Sequence, residues 1–397
     1  MCDHNGFYGI SKNYFADKNC IYTSEEIAQQ PKLWTCLSKL LLQKKNEITA
    51  FMEKVSGAGH FRIVLTGAGS SGFIGDALSV LVAKNCGYIA ESVHSTDIVS
   101  APESYLFRDI PTLLVSFARS GNSPESAGAV EYARATVKDL YEVAILCDNT
   151  SDLYEVSRQS ENSLILVMPE GSNDKGFAMT SSVSCMLLAG YALFNAGLID
   201  DLAKDINTLA GYVAGAGLKY TETAKKWAGK DFDRVAYLGS GFLKHLAHEA
   251  SLKMMELTCG QVNGSYESPA GFRHGPKSLI NDKTLTVHMV SNDPFTARYD
   301  IDLLKEVMSQ KERNMIISIC AGNAENEPAE EIISVPAHGY TIAGDICTGL
   351  QALVFCQMLA MFKSLFLGVN TDDPSPNGAV NRVVKGIIIY DYKGGKK

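Results

Sequence analysis

Ten cysteines occur in the 397-residue chain, at positions 2, 20, 36, 86, 147, 185, 259, 320, 347 and 356, and no two form a CxxC pair. That excludes a zinc ribbon and a thioredoxin-type motif. Basic residues are outnumbered, 36 against 44 acidic, for a formal net charge of −8. The balance argues against a nucleic-acid-coating surface and against a polybasic membrane anchor, while leaving room for a local basic pocket. The first twenty residues, MCDHNGFYGISKNYFADKNC, have no apolar core after a basic start, so no signal peptide is expected. The two longest apolar runs, near 183–199 and 346–367, carry Ser184 and Asn195, and Gln351, Gln357 and Lys363. Polar groups at those depths point to buried or interface helices rather than membrane spans.

What is present is a soluble, globular composition, 46% hydrophobic and 20% charged, in a chain long enough for two domains. Most cysteines lie in apolar runs such as VAILC and IISIC, as expected for buried, reduced thiols of a cytoplasmic protein. The chain also repeats itself. FRIVLTGAGSSG at 61–72 corresponds to DRVAYLGSGFLK at 233–244, with Gly67 and Gly239, and Gly69 and Gly241, each 172 positions apart. Strand patterns LLVSFA and LTVHMV keep that offset. VAILC and MIISIC keep it to within one residue, LILVMP and IISVPA drift by a few, and each half closes with a long apolar helix.

Two copies of one α/β domain follow, each a parallel sheet with helices on both faces. The expected organisation is an N-terminal extension and helix over 1–48, domains over 49–205 and 218–368, and a tail over 369–397. The helical region 23–56 opens with Thr23-Ser24-Glu25-Glu26 in the manner of a capping box, and Pro31 is expected to interrupt it. IIIYDY at 387–392 reads as a short strand or an ordered tail.

In the first half, Gly67-x-Gly69-x-x-Gly72 after a strand, with Glu91 about twenty residues on, is a literal dinucleotide fingerprint. Two features favour a different ligand. Ser70 and Ser71 stand in that turn, and the third strand ends in ARSGNSPES, with Ser120, Ser123 and Ser126 around Gly121. In an open parallel sheet both turns lie outside strand carboxyl ends, each before a helix whose N–H groups favour an anion. Hydroxyls and N–H groups make a phosphate cradle to which Arg119 can add charge. The alternative is N-capping serines in ordinary strand-to-helix turns.

In the second half, HLAHEASLKMMELT places Glu249, Lys253 and Glu256 on one helical face, and FRHGP sets His274 in a stiff turn. The stripe is either a solvated salt-bridge ladder or a proton-transfer base with its supporting groups. His245, His248 and Glu249 fit neither HExxH nor HxxEH, so no metal is expected.

These residues carry a resemblance. The repeats resemble sugar isomerase (SIS) domains. EIAQQPKLW, ARSGNSPES, MTSS at 179–182, YLGSG and SPAGFRHGPKSL resemble more closely the AgaS-type proteins, over about 22–392. That family is named for tagatose-6-phosphate ketose/aldose isomerases and galactosamine-6-phosphate deaminases, and is related more distantly to the isomerase half of glucosamine-6-phosphate synthase. The resemblance implies phosphate binding by Ser70, Ser71, Ser120 and Ser123, with Arg119 and Thr180 nearby. It implies Glu256 as the base between C1 and C2, Lys253 and Glu249 as its support, and His274 in ring opening. Lys385 aligns with a tail lysine of the synthase and is expected as a contact. Arg119 and Ala118 stand where the synthase carries Gln and Ser. No glutaminase domain fits the roughly 50 residues before the first repeat, so Cys2 is not expected to be a nucleophile. The implied activity is a phosphosugar isomerase/deaminase without metal or organic cofactor, acting on a small-molecule phosphosugar. A homo-oligomer with shared active sites is expected, without nucleic acid or membrane. A plain aldose–ketose isomerase, a sugar-phosphate sensor and a dinucleotide oxidoreductase are the competing readings.

Overall fold

Residues 6–310, 315–322, 329–336, 338–375, 381–384 and 386–394 are described by a computed structural model. A two-residue hairpin of β1 (Gly6–Phe7) and β2 (Ile10–Ser11) and the short α1 (Lys12–Ala16) lead into α2 (Ile21–Gly57). Pro31 does not interrupt α2. A proline removes the N–H that would bond the carbonyl four residues back. That carbonyl belongs to Ile27, and it accepts instead from the side-chain Nε2 of Gln30 at 3.2 Å. Nor does Thr23 open a capping box. The helix begins two residues earlier, and the Asp372 carboxylate accepts from Tyr22 N–H (3.0 Å), Thr23 N–H (2.8 Å) and Thr23 Oγ1 (2.8 Å). A carboxylate at that end is favoured by the helix dipole.

The first repeat runs β3 (Arg62–Thr66), α3 (Ser70–Cys86), β4 (Ala90–Ser92), α4 (Ser95–Ser100), α5 (Pro102–Tyr105), β5 (Thr112–Ala118), α6 (Pro124–Thr136), β6 (Leu140–Leu146), α7 (Asp152–Ser157), β7 (Ser163–Val167) and α8 (Ser181–Phe194). Its five strands are all parallel in the order β4-β3-β5-β6-β7. After α9 (Ile199–Ala228), the second repeat runs β8 (Arg234–Gly239), α10 (Phe242–Leu257), β9 (Asn263–Glu267), α11 (Pro269–Phe272), β10 (Thr284–Met289), α12 (Pro294–Ser309), β11 (Met315–Ala321), β12 (Glu331–Val335) and α13 (Gly344–Leu367). Its parallel sheet has the order β12-β11-β10-β8-β9, the same pattern. The central strands β5 and β10 are buried along their whole length; β5 runs mostly apolar, as a strand covered on both faces does, whereas β10 buries Thr284, Thr286 and His288 between its apolar residues.

Two compact units are not continuous in sequence. One joins Leu33–Asp174 and Ser181–Ala203 with Val380–Lys397; the other joins Lys204–Ala379 with Met1–Lys32 and Lys175–Thr180. The division falls inside α2, and the described tail residues from 381 on belong with the first repeat. There 386–394 runs beside α6 without regular secondary structure, with Ile389 against Gly128, the Tyr132 hydroxyl donating to the Tyr390 carbonyl, and the Tyr132 and Tyr392 rings 4.9 Å apart. The helix α13 is apolar enough to cross a membrane, and 89% of its most apolar stretch is buried inside the chain. All of α8 is buried too. The nine described cysteines are free thiols, and burial pushes Cys20 and Cys147 up to about 12.

Candidate functional site

In the first-repeat unit, strand order reverses between β3 and β5, the place where an open parallel sheet offers a crevice. Both strands end there in a turn followed by a helix. The glycine cap of α3, Gly69, sits at φ 55°, and a Cβ on Gly67 would come within 2.6 Å of the Ser71 backbone. The first turn of α3 therefore presses onto the strand end and buries Ser70 and Ser71. Ser123 is the N-cap residue of α6, yet its side chain makes no capping hydrogen bond. Gly69 has no side chain to make one. Ser123 therefore does not fill the capping role that was the alternative drawn from sequence. Ser120 is half-buried, its Oγ accepting weakly from Asn122 N–H at 3.4 Å.

Arg119 is buried, and its Nη2 donates to the Arg382 carbonyl at 2.5 Å. Arg382 in turn donates from Nε to the Asp174 carbonyl at 2.8 Å and from Nη2 to Asn173 Oδ1 at 3.0 Å. The Asp174 carboxylate accepts from Ser181 N–H, Ser182 N–H and Ser182 Oγ at 3.1, 3.0 and 2.6 Å. Sequence reading missed Arg382 and Asp174, because nothing local ties residue 382 to the end of β5. Glu91, the acid a dinucleotide ribose would require, is held in a two-point pair by Arg62. That hydrogen bonding keeps its carboxyl below the usual range.

In the second-repeat unit, α10 carries the expected stripe, and it is buried rather than solvated. The Lys253 side chain has no solvent exposure. Its Nζ lies 3.4 Å from Glu249 Oε1 and hydrogen-bonds Glu256 Oε2. Glu249 is 2% exposed and Glu256 24%, so two carboxylates share one buried ammonium and only Glu256 reaches solvent appreciably. The helix α10 is closely packed by its neighbours. A Cβ on Gly264 of β9 would come within 2.4 Å of the Ser251 carbonyl, and one on Gly349 of α13 within 2.5 Å of Leu246.

His274 is exposed, in the turn after α11. Its neighbours fix that turn: Arg273 Nε pairs with Glu306 Oε2 at 2.7 Å, and Lys277 Nζ pairs with Glu306 Oε1. Those two cations, Lys277 first, hold Glu306 below the usual carboxylate range. His248 stacks on Tyr266, ring centroids 3.8 Å apart. Thr180 is wholly buried in the segment before α8, and Lys385 lies outside the described residues. In the second-repeat unit the turns after β8 and β10 are bridged by a side chain of α12. Asp300 accepts from Ser240 Oγ at 2.5 Å and from Ser291 N–H at 2.9 Å, putting a carboxylate between the two turns.

Residues 58–196 match the family described as SIS domain. With the same strand order in both halves, this defines a protein of two tandem SIS-type repeats. A crystal structure from Clostridium novyi NT superposes with a TM-score of 0.94 at 38% identity, over 98% of this chain and 100% of that one. The crystal structure of tagatose-6-phosphate ketose/aldose isomerase from Escherichia coli gives 0.85 at 35%, over 94% and 97%. D-galactosamine-6-phosphate deaminase AgaS of Escherichia coli is 38% identical over 94% of this chain and 96% of its own length. The chain belongs to the AgaS family of SIS-domain proteins and is a sugar-phosphate isomerase/deaminase.

Proposed function

We propose that the chain converts galactosamine 6-phosphate to tagatose 6-phosphate and ammonia. The observation that carries this reading is the buried Glu249–Lys253–Glu256 cluster, with one carboxylate reaching solvent. Ser70, Ser71, Ser120 and Ser123 hold the substrate phosphate with the N-termini of α3 and α6. His274 assists opening of the pyranose. Glu256 takes the proton from C2 of the open aldehyde, giving an enolamine, and returns it to C1. C1 is then a hydroxymethyl carbon and C2 an imine. Water adds to the imine, ammonia leaves, and the ketose remains. A positioned base of this kind contributes about 10²–10⁴ in rate. Phosphate binding aligns the carbon chain and adds remote binding energy to the chemical step. No step calls for a metal or an organic cofactor.

The test follows ammonia and ketose phosphate together from galactosamine 6-phosphate, with glucosamine 6-phosphate as the C4 comparison. Release of both in equal amounts is the expected result. Ketose from galactose 6-phosphate without ammonia from the amino sugar would overturn it in favour of a plain isomerase. Binding without turnover would overturn it in favour of a sensor.

A further inference from the structure

The third glycine of the Gly67-x-Gly69-x-x-Gly72 pattern has a reason that sequence did not suggest. A Cβ on Gly72 would lie 2.8–2.9 Å from three atoms of the His94 imidazole, Cε1, Nε2 and Nδ1. The ring therefore lies directly across the first turn of α3, one residue beyond Ser71. His94 follows β4, which pairs in parallel with β3, so it stands at the same carboxyl edge of the sheet as the serine turn. The next residue ties the two turns together, since Ser95 N–H donates to the Gly67 carbonyl at 2.9 Å. The imidazole Nε2 is 3.5 Å from Asp76 Oδ2, one turn further along α3, and the Phe73 ring packs beside it at 5.8 Å.

We infer that His94 is a positioning residue of the phosphate turn. Lying across Gly72 and paired with Asp76, it fixes the first turn of α3 and sets the charge of the wall beside Ser70 and Ser71. The inference rests on the assignment of those serines to the substrate phosphate. Among the described residues, the charged groups acting on His94 are Asp76 from α3 and Asp97 from its own helix α4. The hydrogen bond to Asp76 raises the His94 pKa above its ordinary value, against partial burial. With the proton in place, the His94–Asp76 pair is neutral. Once the proton is lost, the pair carries one negative charge, which repels a phosphate dianion. Phosphate affinity therefore falls as His94 deprotonates, and bound phosphate in turn raises the His94 pKa.

The test measures calorimetrically, between about pH 7 and pH 9, the Kd of galactitol 6-phosphate, which has no carbonyl to turn over, no amine to titrate, and a phosphate monoester (second pKa about 6) that is already dianionic. Wild-type, H94Q, D76N and the double variant S70A/S71A are compared, each checked for folding by circular dichroism. The wild-type Kd should weaken about threefold or more across the range, as expected for one added charge at short distance in a solvent-accessible site. H94Q should bind with a flat profile. D76N keeps the imidazole but removes its acceptor, so its transition should move to lower pH. A purely structural role would shift Kd without changing its pH dependence. If S70A/S71A loses binding while H94Q keeps the wild-type profile, the His94 inference falls and the phosphate assignment stands. If S70A/S71A binds as wild type does, the phosphate assignment fails and the inference with it.

Discussion

Lys253 is the residue on which the α10 cluster turns. An ammonium without solvent exposure is held by two carboxylates, and it neutralises part of their charge in return. Two substitutions should separate chemistry from architecture here. Glu256→Gln keeps shape and hydrogen-bonding capacity, and Lys253 retains Glu249. Turnover of galactosamine 6-phosphate should fall by about 10²–10⁴, with substrate Kd nearly unchanged. A wild-type kcat in this variant would remove Glu256 from the role of base. Lys253→Met takes away the ammonium that both carboxylates share. It should cost about 3–5 kcal/mol in a urea melt, as removal of one member of a buried ion pair does. The stripe itself was legible in sequence, because spacing on a helix fixes which residues share a face. Its burial was not, because burial depends on what packs around the helix in three dimensions.

At the scale of elements, the two repeats use the same device: the long closing helix approaches the helix after the first strand at a glycine. Gly190 of α8 faces Leu78 of α3 and Phe117 of β5, where a Cβ would lie 2.5 Å from Leu78 Cδ1 and 3.0 Å from Phe117 Cε1. Gly349 of α13 faces Phe242 and Leu246 of α10, where a Cβ would lie 2.7 and 2.5 Å from their side chains. Overpacking a close-packed core costs about 1–3 kcal/mol. Gly190→Ala and Gly349→Ala should each lose about that much stability. The functional consequences should differ, since α3 carries Ser70 and Ser71 while α10 carries Glu256. Gly190→Ala should chiefly raise KM, and Gly349→Ala should chiefly lower kcat. Equal effects of both on both constants would disprove this division of labour. The repeat made the strands and closing helices readable, because parallel strands buried on both faces leave unbroken apolar runs. Contacts far apart in sequence were not readable. The Asp372 cap on α2 and the Arg382 carbonyl that takes the Arg119 guanidinium both join segments that no periodicity connects.

For the molecule as a whole, two histidines make stability depend on pH in opposite senses. His94 has a raised pKa, so its contribution is complete below the unfolded value and is lost as pH rises through the folded one. His288 is the reverse case. It sits on β10, the middle strand of its sheet, beside Leu238 of β8 and Ser318 of β11, almost wholly buried and with Nε2 making no hydrogen bond among the described residues. Burial pushes its pKa down from 6.5 to about 4. Below pH 6.5 the unfolded chain takes up a proton at this position that the folded chain refuses. Stability therefore falls with pH from about 6.5 to about 4, by up to about 1.4 kcal/mol per unit. The imidazole can be replaced by a phenyl ring, which is larger but has no proton to accept. His288→Phe should cost about 1–3 kcal/mol near pH 7.5 in urea melts, as overpacking a close-packed core does. It should then gain on wild type as the melts are repeated at pH 6.5, 5.5 and 4.5. Parallel losses in both proteins over that range would mean that His288 keeps its ordinary affinity for the proton, or finds an acceptor when charged.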